Sequence, residues 1–176
     1  MAKKLNNDNC LLILRGPSGS GKTTVAKRLF EMAKRKTALM EQDHYRFIFN
    51  PAGGGSKPNS VVIHQMIEHN TMVALKSGYN VILEGILSVK SYEHIIDRII
   101  SVHTGSCYIF YFEISFEETV KRHLTKEGNY TYGKAQMREW YPAACKSGHN
   151  LENIIPEEYT IEQTVKHILN ISGFEH

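Results

Sequence analysis

The sequence predicts a three-layer α/β domain in which a parallel sheet is covered by helices on both faces. Three observations predict it. Short apolar runs of strand length alternate with stretches of helical period along the whole chain, the pattern of βα units that build a parallel sheet. The first run ends in a glycine-rich turn that opens directly into a helical pattern. The chain has 176 residues, 41% of them apolar and 22% charged, enough to close one core and too balanced for disorder.

Taken in order, Cys10–Arg15 (CLLILR) is a continuous apolar run stopped by glycine, the mark of a strand buried on both faces. Thr23 to Lys36 sets Val25, Ala26, Leu29, Phe30 and Ala33 at helical spacing and leaves through basic residues. Thr37–Gln42 is a second strand ending at Asp43. Asn50–Asn59 (NPAGGGSKPN) is a loop, since two prolines and three successive glycines exclude regular structure. Ser60 can cap a long helix to Lys76, stopped by Ser77-Gly78. Tyr79–Glu84 is a third strand, closed by Gly85, and Ser91–Val102 a helix on its isoleucine spacing. Cys107–Ile114 (CYIFYFEI) is an aromatic and β-branched fourth strand. Ser115 caps a helix over Phe116–Lys126, Gly128–Gly133 is a polar loop, and Ala135–Tyr141 a short helix. Asn153–Ile155 is a last strand, and Ile161–Ile171 a final helix capped by Thr160.

The turn after the first strand carries the chemistry. Gly16-Pro17-Ser18-Gly19-Ser20-Gly21-Lys22-Thr23 fits GxxxxGK[ST] at every fixed position, with Thr24 following. A chain of this length meets that pattern by chance about once in a hundred cases or fewer, and here it sits between a strand and a helix, the context it needs. Glycines let the main chain wrap phosphate oxygens, successive N–H groups make an anion nest, and the helix adds its positive end. Lys22 reaches the β- and γ-phosphates and the Thr23 hydroxyl is placed to ligate Mg²⁺. The motif therefore predicts a P-loop NTPase fold that binds a nucleoside triphosphate with Mg²⁺.

Several classes are excluded or disfavoured. A GTPase needs a DxxG switch and an [NT]KxD loop, and Leu83-Glu84-Gly85 and Thr125-Lys126-Glu127-Gly128 both lack the aspartate. Val81-Ile82-Leu83-Glu84 resembles the apolar run of a motor ATPase but ends in Glu84-Gly85. Nine histidines form no HExxH and no Cys/His cluster, so a metal held by protein ligands alone is not expected. The closest-spaced histidines, His64 and His69, and His44 beside Tyr45, read as helix-surface or loop residues. Cys10, Cys107 and Cys145 make an odd count with no CxxC, pointing to free thiols in a reducing cytoplasm. No apolar run is long enough to span a bilayer, and the start has no signal-peptide core, so no membrane association is expected. The net charge of +3 suits an anionic small molecule, and without an arginine-rich stripe nucleic acid is not the expected partner.

GPSGSGKTT, then Asp43-x-x-Arg46 after the second strand, then Gly78 to Gly85 (GYNVILEG), resembles the small phosphate-loop kinases. That group includes gluconate, shikimate and adenylyl-sulfate kinases, chloramphenicol phosphotransferase and zeta-toxin-like kinases. Phe116 to Lys126 and Tyr132 to Trp140 look like its lid segment. The resemblance covers nearly the whole chain, though only the loop is a stringent motif. It implies a five-stranded sheet in the order 2-3-1-4-5, one domain over 1–176, an acceptor-binding segment about 43–78 and a lid about 122–140. It implies ATP as the donor, a small-molecule phosphate acceptor, and a monomer or homodimer. Asp43 would face the acceptor hydroxyl as general base or orienting group, and Arg46 would hold an anionic or polar part of the acceptor. Glu84 would be a second acidic group near the acceptor or near Mg²⁺ through water. Arg122, Lys126 and Arg138 would bring positive charge to the transferring phosphoryl group.

Each residue has a plainer reading beside this one. Asp43 could be a turn residue, Arg46 a solvated arginine and Glu84 a strand end. Lys121, Arg122 and Lys126 could be an ordinary helix face, and Arg138 could pair with Glu139. Arg15 could add charge near the loop or simply end its strand, and Trp140 and Tyr141 read as packing residues. The departures from better-defined members are a short lid without a doubled arginine and the Gly53-Gly54-Gly55 stretch in the acceptor region. Two other classes stay open: a nucleotide-dependent switch or ATPase module, and a nucleic-acid end kinase.

Overall fold

Five strands form one sheet: β1 (Cys10–Arg15), β2 (Thr37–Glu41), β3 (Asn80–Gly85), β4 (Ser106–Glu113) and β5 (Glu152–Pro156). They are seen in a computed structural model that describes residues 9–51, 59–125, 133–141 and 145–174. The order is β2-β3-β1-β4-β5 and every ladder is parallel, as the resemblance implies. Seven helices complete the described residues: α1 (Lys22–Met32), α2 (Gln42–Phe49), α3 (Ser60–Lys76), α4 (Val89–Val102), α5 (Phe116–Leu124), α6 (Lys134–Trp140) and α7 (Ile161–Ser172).

The period of two in β1 divides the core. Leu12 and Leu14 pack with Val25, Leu29, Phe110, Val165 and Ile168, so α1 and α7 cover one face. Leu11 and Ile13 pack with Ile63, Ile67, Ile95 and Ile99, so α3 and α4 cover the other. Each of these β1 side chains is 0% exposed, and burial contributes about 1.5–3 kcal/mol apiece. The strand that feeds the glycine loop is thus buried along its whole length. It is also where the strand order reverses, between β3 and β4, and open α/β sheets bind ligands outside the carboxyl ends of strands at such a point.

The structure corrects several boundaries. β2 stops at Glu41, and residues 42–49 form α2, so Asp43 lies in the first turn of a helix instead of at a strand end. The sequence hides this helix because it is one short amphipathic stretch with a single buried residue, Tyr45. α1 stops at Met32, because Ala33 is already extended. Asn59, not Ser60, caps α3: its side chain accepts from the Val61 N–H at 3.0 Å. Ser115 does cap α5, accepting from the Glu118 N–H at 3.3 Å. Thr160 caps α7 reciprocally with Gln163, at 3.2 and 2.9 Å. Lys126, Gly53-Gly54-Gly55 and residues 128–132 lie outside the described residues.

The three cysteines are free; burial pushes the Cys10 thiol up to about 12 and Cys107 to about 11, so both pack as small hydrophobes. Among the described residues no helix is long and apolar enough to cross a membrane.

Candidate active site

The chain leaves β1 at Arg15 and must turn back at once into α1. Gly19 and Gly21 make this possible, with φ of 80° and 96°. A side chain at Gly19 would also meet the Thr119 carbonyl at 2.7 Å, so the loop passes closer to α5 than any other residue permits. Gly21 is the N-cap of α1 and offers no side chain to the first helical N–H groups. Those donors, with the positive end of the helix, form a cradle for an anion.

Lys22 is buried and lies across the loop, with Nζ donating to the Pro17 carbonyl at 2.7 Å and to Ser20 Oγ at 3.2 Å. The Thr23 hydroxyl donates to Glu84 Oε1 at 3.1 Å. Glu84, the fifth residue of β3, is 5% exposed. Burial raises its carboxyl above the ordinary range; Lys22 and the Thr23 hydroxyl oppose this, while Asp43 and Glu41 add to it. A hydroxyl and a carboxylate side by side are hard oxygen donors that fit Mg²⁺. No group of three or more His, Cys, Asp or Glu able to hold a metal occurs among the described residues, so phosphate oxygens and water would have to complete the shell.

Asp43 and Arg46 stand one turn apart on α2 and pair at 3.1 Å, with side chains 64% and 48% exposed. Glu41 is in register with Glu84 across β2 and β3, and Asp43 follows two residues later at the start of α2, so sheet and helix bring the two acids to one region. Beside them, Gln42 Nε2 donates to the Tyr92 hydroxyl at 2.9 Å and Gln42 Oε1 accepts from the Leu87 N–H at 3.2 Å. The His64 ring lies edge-on against Tyr92, centroids 4.3 Å apart. Burial, then His94, lowers the His64 pKa.

On the opposite side of the loop, the structure decides which cation of α5 turns inward. Lys121 is 76% exposed and pairs with Glu118. Arg122 donates to Glu118 Oε1 at 2.9 Å, to the Ser20 carbonyl at 3.1 Å and to the Glu157 carbonyl at 2.8 Å. One guanidinium therefore joins α5, the glycine loop and the turn after β5. A cleft of about 340 Å³ opens there, with Val25, Phe112 and Ile155 as apolar walls and Thr24 and Arg122 at its edge. Arg138 stacks on the Phe116 ring at 3.7 Å and lies 3.8 Å from Glu117, contacts on the α5 side and not on the loop among the described residues. Tyr141 packs on Phe116 and donates to the Ile114 carbonyl at 2.9 Å, a packing role.

Two contacts escape sequence reasoning. Arg15 neither faces the loop nor merely ends its strand: it forms a buried 2.8 Å ion pair with Glu152, residues 137 apart. Gln42 and Tyr92 meet only because α2 and α4 flank the same strand end. A glutamine after a strand and a tyrosine on a helix face carry no local signature, and no signal in one sequence marks them.

The sequence pattern of the AAA_33 family, described as an AAA domain, matches residues 11–141. In structure the chain is similar to a gluconokinase from Sinorhizobium meliloti 1021, with a TM-score of 0.70, 16% identity, and coverage of 93% of this chain and 91% of that one. It is also similar to the Mycobacterium tuberculosis APS kinase CysC in complex with AMPPNP and APS, at TM-score 0.64 and 12% identity over 93% and 97%. A chain of the Pnkp1/Rnl/Hen1 RNA repair complex matches at TM-score 0.62 and 23% identity, over 82% of this chain and 46% of that one. No curated protein matches the sequence directly. At these identities the structural likenesses establish the fold.

Proposed function

The chain belongs to the AAA domain family AAA_33, and from that premise we propose that it is an ATP-dependent kinase transferring the γ-phosphate to a hydroxyl of a small molecule. The observation that carries this is the Thr23 hydroxyl bonded to the buried Glu84 carboxyl beside the glycine loop, with Asp43 two residues beyond Glu41, the register partner of Glu84. A loop alone holds phosphates; acids at the mouth supply a metal ligand and a partner for an attacking hydroxyl.

In this reading the loop amides and Lys22 hold the β- and γ-phosphates, and Lys22 exchanges its bonds to Pro17 and Ser20 for phosphate oxygens. Thr23, and Glu84 through water, would hold the Mg²⁺, and the ion would supply neutralisation of the phosphate charge. Asp43 orients the acceptor and takes its proton as the acceptor oxygen bonds to the γ-phosphorus and the bridge to ADP breaks. Arg46 binds a polar or anionic part of the acceptor. Arg122, and in a closed lid Arg138 and Lys126, face the transferring group. The acceptor segment spans about 43–78 and the lid about 122–140. The nucleotide base takes the apolar cleft walled by Val25, Phe112 and Ile155.

A second reading, an end kinase for nucleic acid, is favoured by the likeness to the RNA repair chain. The modest charge of +3 weighs against it. The test is ADP release from Mg-ATP across a panel of hydroxylated metabolites, nucleosides and a 5′-hydroxyl oligoribonucleotide. A small molecule should stimulate release, and Asp43→Asn should cut that stimulation by about a hundredfold or more. Stimulation by the oligonucleotide alone would reverse the choice between readings. Turnover unchanged in Asp43→Asn would remove Asp43 from the mechanism.

A further inference from the structure

We infer that Gln42 is a positioning residue that fastens the acceptor helix α2 to the phosphate loop through the peptide of Leu87. Leu87 is the one residue other than glycine with positive φ among those described, at 43°. It is also 0% exposed. A branched side chain in the left-handed region is costly and persists only where its surroundings over-determine it. Here they do so from both ends of the residue. The N–H donates to Gln42 Oε1 at 3.2 Å, and the carbonyl accepts from Arg15 Nη2 at 3.2 Å.

Each clamp is itself anchored. Arg15 is the residue before Gly16, and its guanidinium is pinned by Glu152 at 2.8 Å and the Cys145 carbonyl at 3.0 Å. Gln42 is held by the Tyr92 hydroxyl at 2.9 Å. β3 ends in glycine where Gln42 crosses it: a Cβ on Gly85 would run into the Gln42 side chain. A continuous path therefore runs from α2 through Gln42, Leu87 and Arg15 to the start of the loop.

The path matters because α2 is lightly held beyond its junction with β2, where Glu41 is in register with Glu84 and lies 3.5 Å from Lys27. Its N-cap, Glu41, makes no side-chain cap bond, and only Tyr45 of its residues is buried. Gln42 is the first residue of that helix and Asp43 the second. Losing the clamp would leave Asp43 on a helix free to shift against Glu84. Calling α2 the acceptor helix rests on the phosphotransfer reading; the fastening itself does not.

The experiment has one arm without ligands and one with them. In the ligand-free protein, backbone amide exchange is compared among wild type, Gln42→Ala, Gln42→Glu and Tyr92→Phe. Gln42→Ala should speed exchange of the Leu87 amide by about tenfold or more, with α7 amides unchanged. In Gln42→Glu the carboxylate can accept from both the Leu87 N–H and the Tyr92 hydroxyl, so protection should return. Tyr92→Phe keeps the ring and loosens only the far tether, so its effect should be the same in kind and smaller. With the acceptor found in the panel above, Gln42→Ala should lose about a hundredfold in kcat while the KM for Mg-ATP changes by less than about twofold. Gln42→Glu should recover most of that loss. Unchanged Leu87 exchange in Gln42→Ala overturns the clamp. Faster exchange with unaltered kcat overturns the positioning role, as does a loss carried by the KM for Mg-ATP. A panel with no active acceptor sinks the kinase reading, and the exchange arm still decides the fastening.

Discussion

On the donor side, Gly16 to Gly21 are set by backbone geometry, close packing against β4 and α5, and the buried contacts of Lys22 and Arg122. On the acceptor side, Asp43 and Arg46 stand on a short helix, more than a third exposed, and pair with each other. In the phosphotransfer reading proposed above, the difference follows from what each half must recognise. A triphosphate is the same in every phosphate-loop protein, so its cradle can be built from main-chain N–H groups and kept rigid before the ligand arrives. An acceptor is met by side chains from several elements, and an exposed ion pair of this kind contributes about 0–1 kcal/mol. Asp43 and Arg46 can therefore exchange each other for a ligand at little cost.

The strongest way to break this comparison is to remove the donor side's charge while leaving its backbone. Lys22→Ala should lower phosphoryl transfer by about three orders of magnitude. Without nucleotide, the fold loses two hydrogen bonds, to Pro17 and Ser20, and the charge that offsets the burial of Glu84, about 2–3 kcal/mol together, so the melting temperature should fall by roughly 5–10 °C. Activity and melting together check it. Near-normal transfer in this variant would mean that the loop is not the donor site.

The same contrast explains what one sequence discloses. The loop was legible because eight consecutive residues carry the whole device, and the strands because β1, β3 and β4 announce themselves as apolar runs; their order came only with the family resemblance. Glu84 was legible as an acid at a strand end, where the switch point of the sheet gives such a position meaning; Asp43 was read the same way, yet it stands in the first turn of α2. The direction of Arg122 was not, because Lys121 and Arg122 are adjacent and only the docking of α5 on Ser20 and Glu157 separates them. Arg15 with Glu152, and Gln42 with Leu87 and Tyr92, are contacts between distant parts of the chain. No local propensity records a meeting that tertiary packing creates.

Arg122 sharpens the comparison, because it belongs to the donor side yet is held by three separate elements. Its fork meets two carbonyls and a carboxylate at once, a geometry that a lysine cannot reproduce with a point charge. Arg122→Lys should therefore weaken Mg-ATP binding by about tenfold although the charge is kept, and Lys121→Ala, on the exposed side of the same helix, should leave it unchanged. Fluorescence titration with an ATP analogue measures both. Equal effects from the two would return α5 to the plainer reading of a solvated face.

The smallest effect concerns Glu84, where the two halves touch. Burial raises its carboxyl in the folded protein above the ordinary, unfolded value, so the folded state binds the proton more tightly than the unfolded state does. The stability linked to that proton is fully present below the ordinary value and is lost as pH rises through the raised one. In the nucleotide-free protein, Glu84→Gln keeps an oxygen to accept from Thr23 and carries no charge to bury. It should melt higher than wild type near neutral pH, and the gap should close as pH falls through the window between the two values. Melting curves of both proteins across that range measure the gap. A pH-independent difference would show that Glu84 is not the buried acid under tension, and that the donor side's rigidity costs nothing at this residue. A gap that closes with acid, together with weaker Mg²⁺-dependent nucleotide binding in Glu84→Gln, would instead locate a cost of preforming the metal side of the site in one ionised carboxylate.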